Sequence, residues 1–127
     1  MGSGEMSTKE DTNNASPLTV VVPFLNEAEN INIFLPKIVD YCRERNWALI
    51  LVDDGSSDAT LSLLKEFADG KLVRVCEHWR NMGYGAAIKT GISNAQTPYV
   101  VTIDGDGQHK LEDVDALFEI AQSYGSR

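Results

Sequence analysis

The residues best able to do chemistry in this sequence fall in short acidic and glycine-rich clusters. Asp104-Gly105-Asp106 is the sharpest. On an extended segment, positions i and i+2 point to the same side. Two carboxylates a few ångströms apart repel by about 4 kcal/mol at an effective dielectric of 20, so the pair calls for a proton, a basic side chain or a divalent cation. Hard oxygen ligands on a glycine-flexed turn suit Mg²⁺ or Mn²⁺. Gln108 adds a neutral oxygen two residues on. The plainer reading is an acidic surface turn, since Asp and Gly both favour turns.

Asp53-Asp54-Gly55-Ser56-Ser57-Asp58 can cap a helix or fold onto turn amides. It can equally offer a carboxylate to the N–H groups of a nucleobase. Gly83-Tyr84-Gly85-Ala86-Ala87 opens a helix, where free amides and absent side chains favour a phosphate. Arg80 and Lys89 are the cations nearby, although Lys89 reads more simply as a solvated helix face. Trp79 and Tyr84 can stack on a base or merely anchor the loop. His78 and His109 each stand alone and are read as carrying no ligand. Ser56 and Ser57 have no His and Asp partners in sequence, so a nucleophilic triad fits poorly.

These clusters need a scaffold, and the sequence supplies one. A run rich in β-branched residues at 18–22 marks a strand buried on both faces. Pro23-Phe24-Leu25-Asn26-Glu27 follows. Asn26 is expected to be an N-cap, with Glu29 completing a capping box. Ile31, Leu35, Ile38 and Cys42 then recur at helical spacing to about Arg45, with Pro36 inside the stretch. A second strand is expected at 48–52. Ser57 or Asp58 caps a helix bearing Leu61, Leu64 and Phe67, which ends near Gly70. A third strand at 72–76, a helix over 85–95, a strand at 99–103 and a helix with Leu111, Val114, Leu117, Phe118 and Ala121 on one side complete the order. Strands that alternate with helices and lack polar alternation imply an α/β fold with a mainly parallel sheet in three layers, about four βα units. In such sheets ligands sit outside the carboxyl ends of the strands, where every acidic cluster above falls.

The chain has 127 residues, with 43% hydrophobic and 24% charged, which fits one globular domain and excludes fibrous and wholly disordered classes. Residues 17–127 form that domain. Residues 1–16 lack periodicity and are read as a disordered tail, its first four residues a cloning scar. Eleven Lys and Arg against nineteen Asp and Glu give a net charge of −8, which argues against nucleic acid as a partner. Cys42 and Cys76 fit no metal spacing and are read as reduced thiols. No apolar run approaches the roughly 18 residues of a membrane span. A cytoplasmic location is expected, at most peripheral to a membrane.

Four motifs taken in order, Val22-Pro23-Phe24-Leu25-Asn26-Glu27, Val52-Asp53-Asp54-Gly55-Ser56-Ser57-Asp58, Asn81-Met82-Gly83-Tyr84-Gly85-Ala86-Ala87 and Asp104-Gly105-Asp106-Gly107-Gln108-His109, resemble the nucleotide-sugar-binding half of glycosyltransferase family 2. The likeness covers about residues 18–122 and is closest to dolichol-phosphate mannosyltransferase-like enzymes. It implies a GT-A, Rossmann-like fold and a metal-dependent transferase that takes a UDP- or GDP-linked sugar, with polyprenyl phosphate as a candidate acceptor. The donor-binding set it implies is Pro23, Asn26, Glu27, Asp53, Asp54, Asn81, Gly83 and Asp104. Within it, Glu27 and Asp54 contact the base, Asp53 supports the turn, and Asn81 and Gly83 lie along the donor. Asp104, Asp106 and Gln108 are the implied ligands of Mg²⁺ or Mn²⁺.

The family's acceptor site and carboxylate base lie in a second half. This chain reaches Arg127 one helix after Asp106, so no catalytic base is assigned. Glu112, Asp113 and Asp115 are read as a solvated face. The alternative is a catalytically silent nucleotide-sugar-binding module. A phosphoacceptor signalling domain is excluded, because it needs an acceptor Asp after strand 3, where Cys76-Glu77 stands. The family's sheet continues past strand 4, so that edge is expected to self-associate.

Overall fold

A computed structural model describes residues 15–104 and 111–125. The expected tail up to residue 14, together with Asp106, Gln108 and His109, lies outside the described residues. The apolar run after Pro17 forms β1 (Leu18–Phe24), buried almost throughout. Next come α1 (Ala28–Glu44), β2 (Ala48–Asp53), α2 (Thr60–Phe67), β3 (Val73–Glu77), α3 (Tyr84–Asn94), β4 (Tyr99–Thr102) and α4 (Leu111–Gly125). The βα alternation is unbroken, and all three strand pairings are parallel.

The strand order is β3-β2-β1-β4. Alternation along each strand feeds two cores. Val20, Val22, Phe24, Leu49, Leu51 and Val73 pack with Ile31, Leu35, Ile38 and Cys42 of α1, Leu64 of α2 and Val114 of α4. On the opposite face Val21, Ile50 and Val52 pack with Ala87 of α3. Each such side chain contributes about 1.5–3 kcal/mol by leaving water. The α3 helix rides close to the sheet because Gly91 carries no side chain; a Cβ there would overlap Cγ1 of Val21. These are the three layers expected from the sequence.

Several local expectations change. Asn26 is not the N-cap. It sits at φ 52, α1 is capped at Glu27, and no cap side chain bonds into the helix. The orphan amides are served across the chain instead. The Glu27 N–H donates to Thr60 Oγ1 at 2.9 Å and the Ala28 N–H to Asp58 Oδ2 at 3.3 Å. The N-cap of α2 is Ala59 and not Ser57 or Asp58, although Asp58, one residue earlier, accepts from the Thr60 N–H at 2.9 Å. The α2 helix stops at Phe67, short of Gly70, because Asp69 Oδ1 accepts from the N–H groups of Lys71 and Val73 at 2.8 and 2.9 Å. That local Asx bonding competes with the helix. Pro36 lies inside α1, which continues through it to Glu44.

Asp115 does not belong to a solvated face. Its carboxylate accepts from the Tyr41 hydroxyl and from Arg45 Nε at 3.0 Å. The Arg45 guanidinium lies 3.4 Å from the Tyr41 ring centroid. Phe118 adds edge contacts to Trp47 and Tyr99. This cluster fastens α4 to α1. Among the described residues no helix is long and apolar enough to cross a membrane.

Candidate functional site

The direction of chain travel across the sheet reverses at β1. Strands β1, β2 and β3 step one way, and β4 returns on the other side of β1. Connections on the two sides of that reversal leave on opposite faces, so a crevice opens at the carboxyl ends of β1 and β4. A cavity of about 220 Å³ lies there, lined by Pro23, Phe24, Leu25, Glu27, Asp54, Tyr84, Ala87 and Asp104. Four of the eight implied donor residues, Pro23, Glu27, Asp54 and Asp104, therefore share one wall system. Among the described residues its lining holds three carboxylates and no Lys or Arg.

The other four shape the loops behind it. Asn26 turns toward the β2–α2 loop, where its Oδ1 accepts from the Ser57 N–H at 2.8 Å and its own N–H donates to Ser56 Oγ at 2.9 Å. Asp53 is 2% exposed. Its Oδ2 accepts from the Ser56 N–H at 3.2 Å, while Oδ1 is buried without a partner among the described residues. Asn81 Oδ1 accepts from the Gly83 N–H at 3.0 Å. Gly83 sits at φ 106, which only glycine adopts readily.

Asp54 joins the wall to these loops. It is 3% exposed. Its Oδ1 accepts from the Met82 N–H at 2.9 Å and contacts His78 Nδ1 at 2.8 Å, and its Oδ2 accepts from the Gly83 N–H at 3.0 Å. Burial pushes the Asp54 carboxyl up, but the hydrogen bonds from His78, Met82 and Gly83 outweigh it and hold the group below the ordinary carboxylate value. Backbone bonds tie the end of β2 to its neighbours on both sides. The Asp54 N–H donates to the Phe24 carbonyl at 2.9 Å, and the His78 N–H to the Asp53 carbonyl at 2.8 Å. Gly55, at φ 75, lies against the Arg80–Asn81 peptide, where a Cβ would overlap the Arg80 carbonyl carbon.

Asp104 closes the opposite wall. The Tyr84 hydroxyl donates to Asp104 Oδ1 at 3.2 Å across the cavity mouth. Burial and the Asp104 carboxylate both push the Tyr84 phenol up. Arg80 stacks on Trp79 at 5.0 Å and does not line the cavity. Lys89 is exposed on α3. Among the described residues no cluster of three metal-ligating side chains forms; two of the three implied ligands, Asp106 and Gln108, lie outside them. Asp104, lining an acidic cavity at a strand end, is a hard oxygen donor of the kind Mg²⁺ or Mn²⁺ takes.

The sequence reading missed His78, which it took as solitary. The side chain is 9% exposed, and its Nε2 contacts Thr90 Oγ1 at 2.7 Å. A signal was available in the register: Asp53 pairs with Glu77 in parallel strands, so the next residues, Asp54 and His78, must stand side by side.

A family model described as glycosyl transferase family 2 matches residues 19–126. The chain belongs to this family. Among curated relatives, dodecaprenyl-phosphate galacturonate synthase of Rhizobium johnstonii is 36% identical over 106 residues, covering 79% of this chain and 31% of the relative. Undecaprenyl-phosphate 4-deoxy-4-formamido-L-arabinose transferase of Proteus mirabilis is 36% identical over 122 residues, covering 92% of this chain and 36% of the relative. The chain thus spans about a third of the length of these relatives. Among solved structures, a mannosyltransferase from Pyrobaculum calidifontis in complex with GDP-Man and Mn²⁺ aligns with a TM-score of 0.61 at 31% identity, over 72% of this chain and 28% of that one. S. aureus TarS, in complex with UDP-GlcNAc, aligns with a TM-score of 0.64 at 21% identity over 83% of this chain and 32% of that one, a likeness of fold. This member of the family has the GT-A, Rossmann-like arrangement expected from its motifs.

Proposed function

We propose that the crevice at the carboxyl ends of β1 and β4 binds a nucleoside-diphosphate sugar together with a divalent cation, as the donor site of a glycosyltransferase. The observation that carries this is the placement of Glu27, Asp54 and Asp104 around one cavity at the topological reversal. Such a lining, in a chain of net charge −8, repels a diphosphate unless a cation joins them. Asp104 holds that cation, with Asp106 and Gln108 as its further ligands. A cation held there would supply the positive charge that a diphosphate leaving group needs.

The chain's own groups do the rest. A carboxylate offers about four lone-pair sites. Three on Asp54 are engaged by His78, Met82 and Gly83, which leaves one for a base N–H. Glu27, steadied by the Asn30 amide at 3.2 Å, offers a second acceptor to the base. Phe24, Leu25 and Ala87 supply the apolar wall that keeps water from these bonds. The polyprenyl-phosphate sugar transferases among its relatives support polyprenyl phosphate as the acceptor of the whole protein, which would work at a membrane surface.

Titrating the labelled chain with UDP and with GDP, Mg²⁺ present, tests the placement. The amides of Glu27, Asp54 and Ala87 are expected to shift. Shifts confined to the other rim of the sheet, around Thr19 and Lys71, would overturn it.

A further inference from the structure

The nearly buried imidazole of His78 has no part in the reading above, yet it touches both sides of the cavity's framework. On one side Nδ1 meets Asp54 Oδ1 at 2.8 Å; on the other Nε2 meets Thr90 Oγ1 at 2.7 Å. Thr90 lies on α3, whose Tyr84 and Ala87 line the cavity, and its neighbour Gly91 presses on Val21 of β1. Asp54 lines the same cavity from the end of β2 and also gathers the Met82 and Gly83 N–H groups. One rigid ring therefore spans from a wall carboxylate to α3, a helix that also lines the cavity. A neutral ring can donate at one nitrogen and accept at the other, which matches a carboxylate on one side and a hydroxyl on the other.

We propose that His78 is a positioning residue of the nucleotide site: it fixes the Asp54 carboxylate, and through it the Met82–Gly83 backbone, relative to α3. This rests on the nucleotide-binding reading of the cavity. The ring does not reach the lining, so it acts on a ligand only through Asp54. With the ring removed, Asp54 keeps the Met82 and Gly83 N–H groups but loses its tie to α3, so the carboxylate and the loop it gathers can shift together relative to that helix. Preorganised groups lose affinity steeply when their support is cut.

Two readouts on the full chain test this. The first is amide exchange at Met82 and Gly83 without nucleotide, in the wild type, His78→Ala and Thr90→Val. Exchange at both is expected to quicken at least about tenfold in His78→Ala and about threefold in Thr90→Val, with the central amides of β1 and β2 unchanged. The second is affinity for UDP and GDP with Mg²⁺, expected to weaken about tenfold in His78→Ala. Added imidazole, which fits the space left by the ring, is expected to restore both. Unchanged exchange at Met82 and Gly83 in His78→Ala, or a loss that imidazole leaves untouched while Thr90→Val is silent, would overturn the role. A wild type that binds neither nucleotide ends the nucleotide reading, and the exchange data then decide on their own whether His78 positions Asp54.

Discussion

Asp54 and Asp104 face one cavity but are held in opposite ways. Asp54 is buried and bonded by three donors from the β3–α3 loop. Asp104 is half-buried at the mouth, beside a Tyr84 hydroxyl that is itself 61% exposed as a residue. The first is therefore a structural acceptor with one site to spare, and the second a group that a ligand can reach. Replacing Asp54 should damage fold and site together. Asp54→Asn is expected to lower unfolding free energy by about 2 kcal/mol, since a charged acceptor is lost and an amide N–H₂ faces donors; chemical denaturation measures it. Tyr84→Phe should leave stability within about 0.5 kcal/mol, as its partner bond is exposed. The residue types at the cavity were legible in the sequence because they come as dense local clusters. His78 was not, because its partners are 24 and 12 residues away and only the strand register brings them together.

The elements explain why those clusters converge. Parallel pairing in register places Phe24, Asp53 and Glu77 level with one another, so the three following loops start from one line. The interlock of Gly55 with the Arg80–Asn81 peptide then holds two of them in contact. Gly55→Ala is expected to cost about 2–5 kcal/mol, the sum of a left-handed backbone for a residue with a Cβ and an overlap with main chain that cannot yield. Thermal unfolding would report it, and a loss under about 1 kcal/mol would mean that the loops are not interlocked. At the other end, Asp115→Ala removes the Arg45 and Tyr41 partner of α4. The pair is over a third exposed on the Asp115 side, so a loss of about 1 kcal/mol is expected. Strand and helix existence was readable throughout from apolar runs and 3.6-residue spacing. Their ends were not. Asn26 and Gly70 look like helix punctuation, but tertiary bonds from Asp58 and Thr60 decided where α1 begins, and local bonds to Asp69 where α2 ends.

The whole molecule carries its charge unevenly, with acid at one rim and in several local turns. Asp54, Asp58 and Asp69 all sit below the ordinary carboxylate value of 3.8. Hydrogen bonds from Thr60 lower Asp58. For Asp69, burial opposes the shift, and the N–H groups of Val73 and Lys71 with Arg43 overcome it. Each folded carboxyl thus holds its proton less readily than the unfolded one. The stability they add is complete above about pH 4 and is lost as pH falls below that value through the depressed ones. Denaturation series between about pH 6 and about pH 2.5 should show stability falling only in the acid limb. The β4 strand bonds to β1 on one flank, and beside it Val100, Leu117 and Ile120 are 37%, 58% and 55% exposed. A second copy of this chain pairing there is expected to give concentration-dependent dimers in sedimentation; a clean monomer at high concentration would count against it.

The proposed donor site depends on a cation linking acid to acid: carboxylates at the sheet rim on one side, a diphosphate on the other. Calorimetric titration of UDP and GDP, with and without Mn²⁺, into the wild type and Asp104→Ala tests that link directly. The expected result is binding that requires Mn²⁺ and disappears in the variant. Binding of equal strength without the metal, unchanged by Asp104→Ala, would contradict it.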